Sequence, residues 1–102
     1  MVALRNSALT VKTKTFTSPV GTGQGFAKKY GNVIVIDYEF RFTSNVTNWN
    51  TEVCKIPSEF FDTTRNHYSN SGKSFLYNSG KVISGGDYKI GETLIDNFCF
   101  IL

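Results

Sequence analysis

Length, composition and charge limit what this chain can be before any motif is considered. At 102 residues it has room for one domain, and folding at this size buries about 65% of the accessible surface, enough for one core. Hydrophobic residues make up 40% of the sequence and charged residues only 19%, which excludes a disordered or coiled-coil protein. We expect one domain over residues 11–102, with residues 1–10 as a lead-in or linker.

The net charge of +3 does not indicate a nucleic-acid partner. The basic residues are spread along the whole chain, with Lys28 and Lys29 as the only adjacent pair, whereas a nucleic-acid footprint is a clustered stripe. The first ten residues lack the apolar run of a signal peptide, and no stretch approaches the length of a membrane span. We therefore expect neither nucleic-acid binding nor membrane insertion.

The two cysteines, Cys54 and Cys99, give no sign of a metal or cofactor site. Neither has a second Cys or His at ligand spacing, so no zinc and no other cofactor is expected. Free, buried thiols are the default prediction for both. The sequence leaves open a single disulfide between them, because any two strands can be neighbours in space.

The pattern along the chain is that of an all-β protein. Thr, Val, Ile, Phe and Tyr recur in short runs separated by Gly, Asn and Ser, and helical periodicity is nearly absent. Residues 11–17, "VKTKTFT", suit an edge strand protected by lysines. The Gly-rich residues 19–25, "PVGTGQG", are predicted to form a loop, and a strand is expected at residues 26–30.

The clearest strand is residues 33–42, "VIVIDYEFRF". Alternation places one apolar set on a single face, which is predicted to form the core: Ile34, Ile36, Tyr38, Phe40 and Phe42. Gly31 and Asn32 just before it suit a two-residue type II′ turn, because Gly tolerates the positive φ of the first turn position. Residues 26–30 and 33–42 are therefore predicted to pair as a hairpin.

A strand is expected next at residues 49–56, ended by Pro57, which cannot donate to a sheet. Residues 57–70 are predicted to form a long irregular connection with one helical turn at its start, where Pro is tolerated. The four residues Asn-Ser-Gly-Lys then occur twice, at 70–73 and 78–81. Position 67 is His where a phosphate-binding loop needs Gly, so the repeat indicates two turns around short strands instead.

The final segment, residues 93–102, is apolar on both faces. Leu94, Phe98 and Phe100 alternate with Ile95, Cys99 and Ile101. A strand of this kind has both faces covered. The sequence leaves two covers open: a second layer of the same domain, or a neighbouring subunit of an oligomer.

No catalytic set is evident, and an enzyme is not expected. The chain has one His and two isolated Cys, too few for a nucleophile with its base. Saccharide binding needs only an aromatic ring for the C–H face of a sugar and polar groups for its hydroxyls. The candidate saccharide-binding residues, chosen on this chemistry alone, are Trp49, Asp62, Arg65, His67 and Tyr68.

The order of these features resembles a known family. "YGNVIVIDYEFRF", then "WNTEVCKIP" with Phe60 three residues after Pro57, then "SFLYNSGKVIS" and a closing C-terminal strand are similar to the C-terminal head domain of phage tail-fibre and baseplate receptor-binding proteins. The phages concerned infect Gram-positive bacteria. The resemblance spans roughly residues 30–102.

The resemblance implies an antiparallel β-sandwich or barrel of about seven to eight short strands that assembles as a homotrimer. It implies a place in the virion, at the tail tip or baseplate, after synthesis in the host cytoplasm. The implied partners are host cell-wall polysaccharide, further copies of the chain and other tail or baseplate proteins. Two alternatives remain open: a purely structural trimerisation or docking domain, and a carbohydrate-binding module of a secreted hydrolase.

Overall fold

The computed structural model describes residues 11–102, and the expected lead-in at residues 1–10 lies outside the described residues. The described chain forms two four-stranded sheets in which all neighbouring strands are antiparallel. The all-β prediction is confirmed, and the arrangement is a β-sandwich. The strands are β1 (Val11–Phe16), β2 (Gly21–Tyr30), β3 (Val33–Phe42), β4 (Glu52–Lys55), β5 (His67–Tyr68), β6 (Ser74–Leu76), β7 (Lys81–Ser84) and β8 (Thr93–Ile101).

The first sheet has the strand order β1-β2-β3-β8, with β1 at one edge as predicted. Strand β3 lies inside this sheet, and the predicted core face is confirmed because all five of its even-numbered side chains are buried. The β2–β3 hairpin turns at Gly31, whose φ is 60°, while Asn32 keeps a negative φ. A positive φ at the first turn position alone is what a type II′ turn requires.

The predicted loop at residues 19–25 is wrong, because Gly21–Gly25 form the first half of β2. Gly21, Gly23 and Gly25 lie opposite Phe42, Phe40 and Tyr38 of β3. An added Cβ on Gly21 or Gly23 would lie 2.6 or 2.2 Å from a backbone carbonyl oxygen of β3, and one on Gly25 would overlap the ring of Phe16. Close packing against β3 thus stabilises a strand where local propensity favours a loop.

The second sheet has the strand order β4-β7-β6-β5. Its inner face contributes Val53, Cys54, Leu76 and Val82 to the core, where they meet the aromatic residues of the first sheet. The two Ser-Gly turns of the repeat have positive φ at Gly72 and Gly80, as the turn interpretation requires. Strands β6 and β7 confirm the short strands predicted between those turns.

Two boundaries in this region differ from the prediction. The strand expected at residues 49–56 begins only at Glu52, since Trp49 lies in a turn that is held by bonds from the Asn50 and Thr51 amides to the Thr47 carbonyl. The helical turn after Pro57 is confirmed as a 3₁₀ turn at Ser58–Phe60. The connection at residues 57–70 is not wholly irregular, because β5 forms within it by pairing with β6.

Polar contacts join the two sheets at the loop between β5 and β6. The Tyr38 hydroxyl donates to Ser74 Oγ, and the Ser71 hydroxyl donates to Asp96 Oδ1 at 2.8 Å. Burial raises the pKa of Tyr38 above its ordinary value, so the phenol stays protonated and able to donate. The loop that leads from β5 to β6 is therefore fixed against the core of the first sheet.

The closing strand β8 buries only one face within the described chain. Leu94 and Phe98 point into the core, but Ile95 and Ile101 are each 64% exposed, and the Cys99 side chain is exposed as well. A covering layer of the same domain over this face is therefore wrong for residues 11–102. Both cysteines are free: Cys54 is buried as predicted, whereas the prediction of burial fails for Cys99.

Candidate functional site

The outer face of the second sheet carries a contiguous group of aromatic rings, here called the aromatic cluster. It consists of Trp49, Tyr68, Phe75 and Tyr77. The Phe75 ring lies at its centre, with centroid distances of 4.6 Å to Tyr68, 4.7 Å to Tyr77 and 6.1 Å to Trp49, all edge to face. Trp49 is 50% exposed, Tyr68 66% and Tyr77 38%. Three of the four rings are therefore exposed, and Phe75 is half-buried.

Strand pairing brings the cluster together. Tyr68 of β5 lies directly opposite Phe75 of β6, and residues opposite each other in an antiparallel pair share a face. Tyr77 follows Phe75 by two positions, so it lies on the same face, and its amide donates to the Lys81 carbonyl at 2.9 Å. The two strands thus present three rings in a fixed arrangement.

Trp49 reaches the cluster from the turn before β4. Its φ is 58°, a left-handed conformation that costs a residue with a side chain about 1–2 kcal/mol. The turn is held by the Trp49 amide, which donates to the Ser84 carbonyl at 2.8 Å. The indole lies close to Gly85, where an added Cβ would be 3.3 Å from Trp49 Cη2. A strained backbone and a glycine neighbour together place this ring beside Phe75.

Polar groups line the surface beside the rings. A shallow groove of about 380 Å³ runs between Trp49 and Tyr77 and is continued by Asn50, Asn78, Ser79 and Lys81. A smaller recess of about 170 Å³ lies among the four rings themselves. The two recesses share Trp49 and Tyr77 as walls. This surface therefore combines aromatic faces with amide, hydroxyl and ammonium groups, the combination that saccharide recognition uses.

Asp62, Arg65 and His67 form a separate group at the C-terminal end of β8, here called the strand-end cluster. Arg65 Nε pairs with Asp62 Oδ2 at 2.7 Å, and Arg65 Nη2 donates to the Ile101 carbonyl at 2.9 Å. Hydrogen bonds from the Thr64 hydroxyl and from Arg65 lower the pKa of Asp62 well below its usual range. These contacts hold the end of β8 in place. They occupy the Asp62 carboxylate and the Arg65 guanidinium, which were predicted to bind a sugar.

His67 belongs to the same cluster. Its ring stacks on Phe100 with a centroid distance of 3.9 Å and an interplanar angle of 11°, and its buried Nε2 has no hydrogen-bond partner among residues 11–102. Burial, and then the nearby Arg65 charge, lower the pKa of His67, so the imidazole is neutral at pH 7. A neutral ring stacked on Phe100 contributes packing at the end of β8.

Of the five candidate residues, the structure brings Trp49 and Tyr68 together and places Asp62, Arg65 and His67 elsewhere. The sequence reasoning missed Phe75 and Tyr77. Their spacing of two within "SFLY" was the available signal, because it puts both rings on one face of a strand. Which face that is depends on the pairing with β5 and β7, and no local pattern shows it.

A larger groove of about 540 Å³ lies between two loops at another part of the surface. Its walls include Asn45, Thr47, Asp87, Tyr88 and Ile90. Asn45 Oδ1 and Asp87 Oδ1 accept backbone amides of Ile90 and Asn48, so these side chains serve to shape the loops. This groove has fewer aromatic groups for a ligand than the aromatic cluster.

Comparisons with known proteins identify no relative of this chain. No protein-family model matches the chain, and searches of curated proteins and of solved structures found no significant match. Within residues 11–102, no three His, Cys, Asp or Glu side chains are grouped so that they could hold a metal ion. Over the same residues, the structure contains no helix of the length and apolarity needed to cross a membrane.

Proposed function

We propose that this domain is the receptor-binding or accessory head of a phage tail fibre or baseplate and adheres non-covalently to saccharide on the host cell surface. The observation that carries the proposal is the aromatic cluster, in which four rings pack together on one sheet face and three of them are exposed. Contiguous exposed apolar surface on a small domain marks an interaction site. The setting is proposed from the order of motifs in residues 30–102, which resembles that of phage head domains.

Binding would use the faces of the rings and the polar groups beside them. The C–H face of a sugar ring packs on Trp49 and Tyr77, the two walls that both recesses share, with Tyr68 beside them. The polar groups of the groove, Asn50, Asn78 and Ser79, hydrogen-bond the sugar hydroxyls. A shallow, open site of this kind gives weak affinity for one sugar. Many copies on one virion would multiply that affinity without any new contact, because later binding events become intramolecular. No bond is made or broken, so the proposed role is not enzymatic.

The proposal includes assembly as a homotrimer at the tail tip, in contact with other tail or baseplate proteins. Support comes from the outer face of the first sheet, where Val33, Ile95, Cys99 and Ile101 are exposed on β3 and β8. Val33 lies directly opposite Ile101, and Val35 opposite Cys99, so the apolar side chains adjoin one another. A neighbouring subunit over this face would remove them from water.

Calorimetric titration with short, monovalent fragments of host cell-wall polysaccharide tests the saccharide proposal. We expect Trp49→Ala and Tyr77→Ala to weaken binding by about tenfold, since covering about 60 Å² of apolar ring surface at about 25 cal/mol per Å² contributes about 1.5 kcal/mol. Phe26→Ala is the matched control, because Phe26 is 37% exposed, close to the 38% of Tyr77, but lies on the first sheet. Equal affinity in all variants, or no binding to the wall polysaccharide of the true host, would contradict the proposal.

A structural role is the second candidate, and the exposed apolar face of β3 and β8 favours it. In that role the same fold trimerises a fibre or docks a baseplate component and binds no sugar. A stable trimer that binds no host polysaccharide would establish this alternative. A carbohydrate-binding module of a secreted hydrolase would show the same sugar binding, and its neighbouring genes would encode hydrolases instead of tail proteins.

A further inference from the structure

Two lysines face each other across the second sheet beside the aromatic cluster. Lys55 of β4 lies directly opposite Lys81 of β7, and both side chains are exposed. Val82, the next residue after Lys81, points into the core, so Lys81 and its partner Lys55 point outward. Lys81 shares a groove wall with Trp49 and Tyr77. The lysine pair, Lys55 and Lys81, is therefore on the same face as the rings.

The charge of the lysine pair is only partly compensated. Glu52 Oε1 lies 3.8 Å from Lys81 Nζ, longer than a hydrogen bond. Among residues 11–102, no carboxylate lies within 4.0 Å of the Lys55 ammonium. Like charges directly opposite each other on neighbouring strands destabilise a sheet. An arrangement that costs stability and leaves positive charge beside an aromatic surface fits a role in binding.

The groove beside the rings and the groove beside Lys55 adjoin at Ser79. Trp49, Tyr77, Ser79 and Lys81 line the first groove, and a second groove of about 460 Å³ is lined by Ser79 and Lys55. A ligand that lies on the rings and extends past Ser79 would thus come near both ammonium groups. Lys side chains bind carboxylate and phosphate as mobile point charges, which suits an open surface.

We propose that the ligand is an anionic saccharide, with its sugar ring on the aromatic cluster and its carboxylate or phosphate between Lys55 and Lys81. This inference rests on the saccharide-binding function proposed above and adds the charge of the ligand to it. The neutral hydroxyl contacts stay with Asn50, Asn78 and Ser79, which line the same groove as Trp49 and Lys81. The sugar and its anionic group therefore use different parts of the surface, the rings and the lysine pair.

Titration with three matched probes tests the proposal: a neutral hexose trisaccharide, the same trisaccharide with a terminal uronate, and its terminal phosphate. We expect both anionic probes to bind on the order of tenfold more tightly than the neutral one at low salt, with the difference shrinking as salt rises. In the double variant Lys55→Gln with Lys81→Gln, the anionic probes should fall to the affinity of the neutral probe, whose own binding stays unchanged. Lys89→Gln, on the other groove, should alter none of these values.

The outcomes separate the two proposals. Equal affinity for the neutral and anionic probes would overturn the anionic inference and leave saccharide binding in place. Absence of binding by all three would contradict saccharide binding itself. Inorganic phosphate binding as tightly as the phosphorylated trisaccharide, or a single-stranded oligonucleotide binding more tightly than any saccharide, would also overturn the inference. A gain in thermal stability for Lys55→Gln at low salt, absent at high salt, would show that repulsion between the two lysines destabilises the fold, as expected if the pair serves binding.

Discussion

The ring of Phe16 occupies the space that a side chain on Gly25 would need. The two residues lie opposite each other in β1 and β2, and an ideal Cβ on Gly25 would be 2.1 Å from Phe16 Cε2. Phe16 can therefore lie across β2 and pack edge to face on Tyr38 and Phe40 of β3, at centroid distances of 6.4 and 6.2 Å. In this way an edge strand contributes a ring to the centre of the core.

Gly25→Ala should destabilise the protein by about 1–3 kcal/mol, because the added methyl group must displace a buried ring and the core has no room for it. Chemical denaturation monitored by circular dichroism measures the change. Gly86→Ala is the matched control, since its Cβ would meet nothing closer than 3.6 Å, and stability should change by no more than about 0.5–1 kcal/mol. Equal effects at the two positions would contradict the packing of Phe16 against Gly25.

The left-handed backbone at Trp49 predicts that a Gly variant is more stable than an Ala variant, the reverse of the order at most positions. Trp49→Gly should be more stable than Trp49→Ala by about 1 kcal/mol, because Gly adopts a φ of 58° without strain and Ala does not. Both variants lose the same indole contacts, so their difference isolates the backbone. A more stable Ala variant in thermal or chemical denaturation would show that the turn at Trp49 is not strained.

His67 should make stability depend on pH between 7 and 5. Its pKa is lowered in the folded protein, so the unfolded chain takes up a proton near pH 6.5 while the folded chain does not. Stability should therefore be full above pH 6.5 and fall as the pH is lowered towards the pKa of folded His67. NMR titration of the ring should give a pKa below 6.5.

His67→Phe is the control for this dependence. The variant keeps an aromatic ring on Phe100 and removes the titrating group, and the sequence contains no second histidine. Its stability should change little between pH 7 and 5. A wild-type pKa at or above 6.5, or identical pH slopes for the two proteins, would contradict the burial of His67 against Phe100.

Cys99 provides a reporter for the proposed subunit interface. The Cys99 thiol on β8 is exposed in the single chain, but a neighbouring subunit of a trimer would cover it, so it should react slowly with a thiol reagent. Ile101→Asp should disrupt the interface, which would lower the mass of the assembly in solution and speed the reaction of Cys99. Cys54 should not interfere, because it is buried and burial raises the pKa of its thiol, which keeps the reactive thiolate scarce. Light scattering and labelling kinetics are measured on the same samples.

Ile90→Asp is the matched control for that substitution, since Ile90 and Ile101 are each 64% exposed but lie on different parts of the surface. We expect Ile90→Asp to leave both the mass and the labelling rate unchanged. A mass near one 11.4 kDa chain for the wild type at micromolar concentration, with fast Cys99 labelling, would contradict the trimer.

The regular alternation of apolar and polar side chains explains why strand β3 and its core face could be predicted from the sequence. In β3 each buried residue alternates with a more exposed one, so local pattern and tertiary environment agree. The predicted loop at residues 19–25 was wrong because glycine favours turns locally, whereas here the glycines let β2 lie close to the backbone of β3 and to the ring of Phe16. The boundary at Trp49 failed for a related reason, since the bond from its amide to the Ser84 carbonyl is non-local.

The candidate site was predictable only in part. Tyr68 could be chosen because an aromatic residue in a polar loop is often exposed, whereas Trp49 was chosen as a ring that suits a sugar, and its pattern fitted a core position equally well. Phe75 has the composition of an ordinary core residue, and its outward direction is set by the pairing of Tyr68 with Phe75 across β5 and β6. Asp62 and Arg65 were polar and loop-borne, as a site residue would be, but their charges pair with each other and secure β8.

The fluorescence of Trp49 gives the sharpest test of saccharide binding at the aromatic cluster, because Trp49 is the only tryptophan in the chain and lies in that cluster. Host cell-wall polysaccharide is titrated into the protein while the emission and its quenching by a small neutral quencher are followed. Saccharide binding over the cluster predicts a saturable blue shift and protection of the indole, which is 50% exposed in the free protein. An emission spectrum and a quenching constant that stay unchanged throughout the titration would contradict saccharide binding at the aromatic cluster.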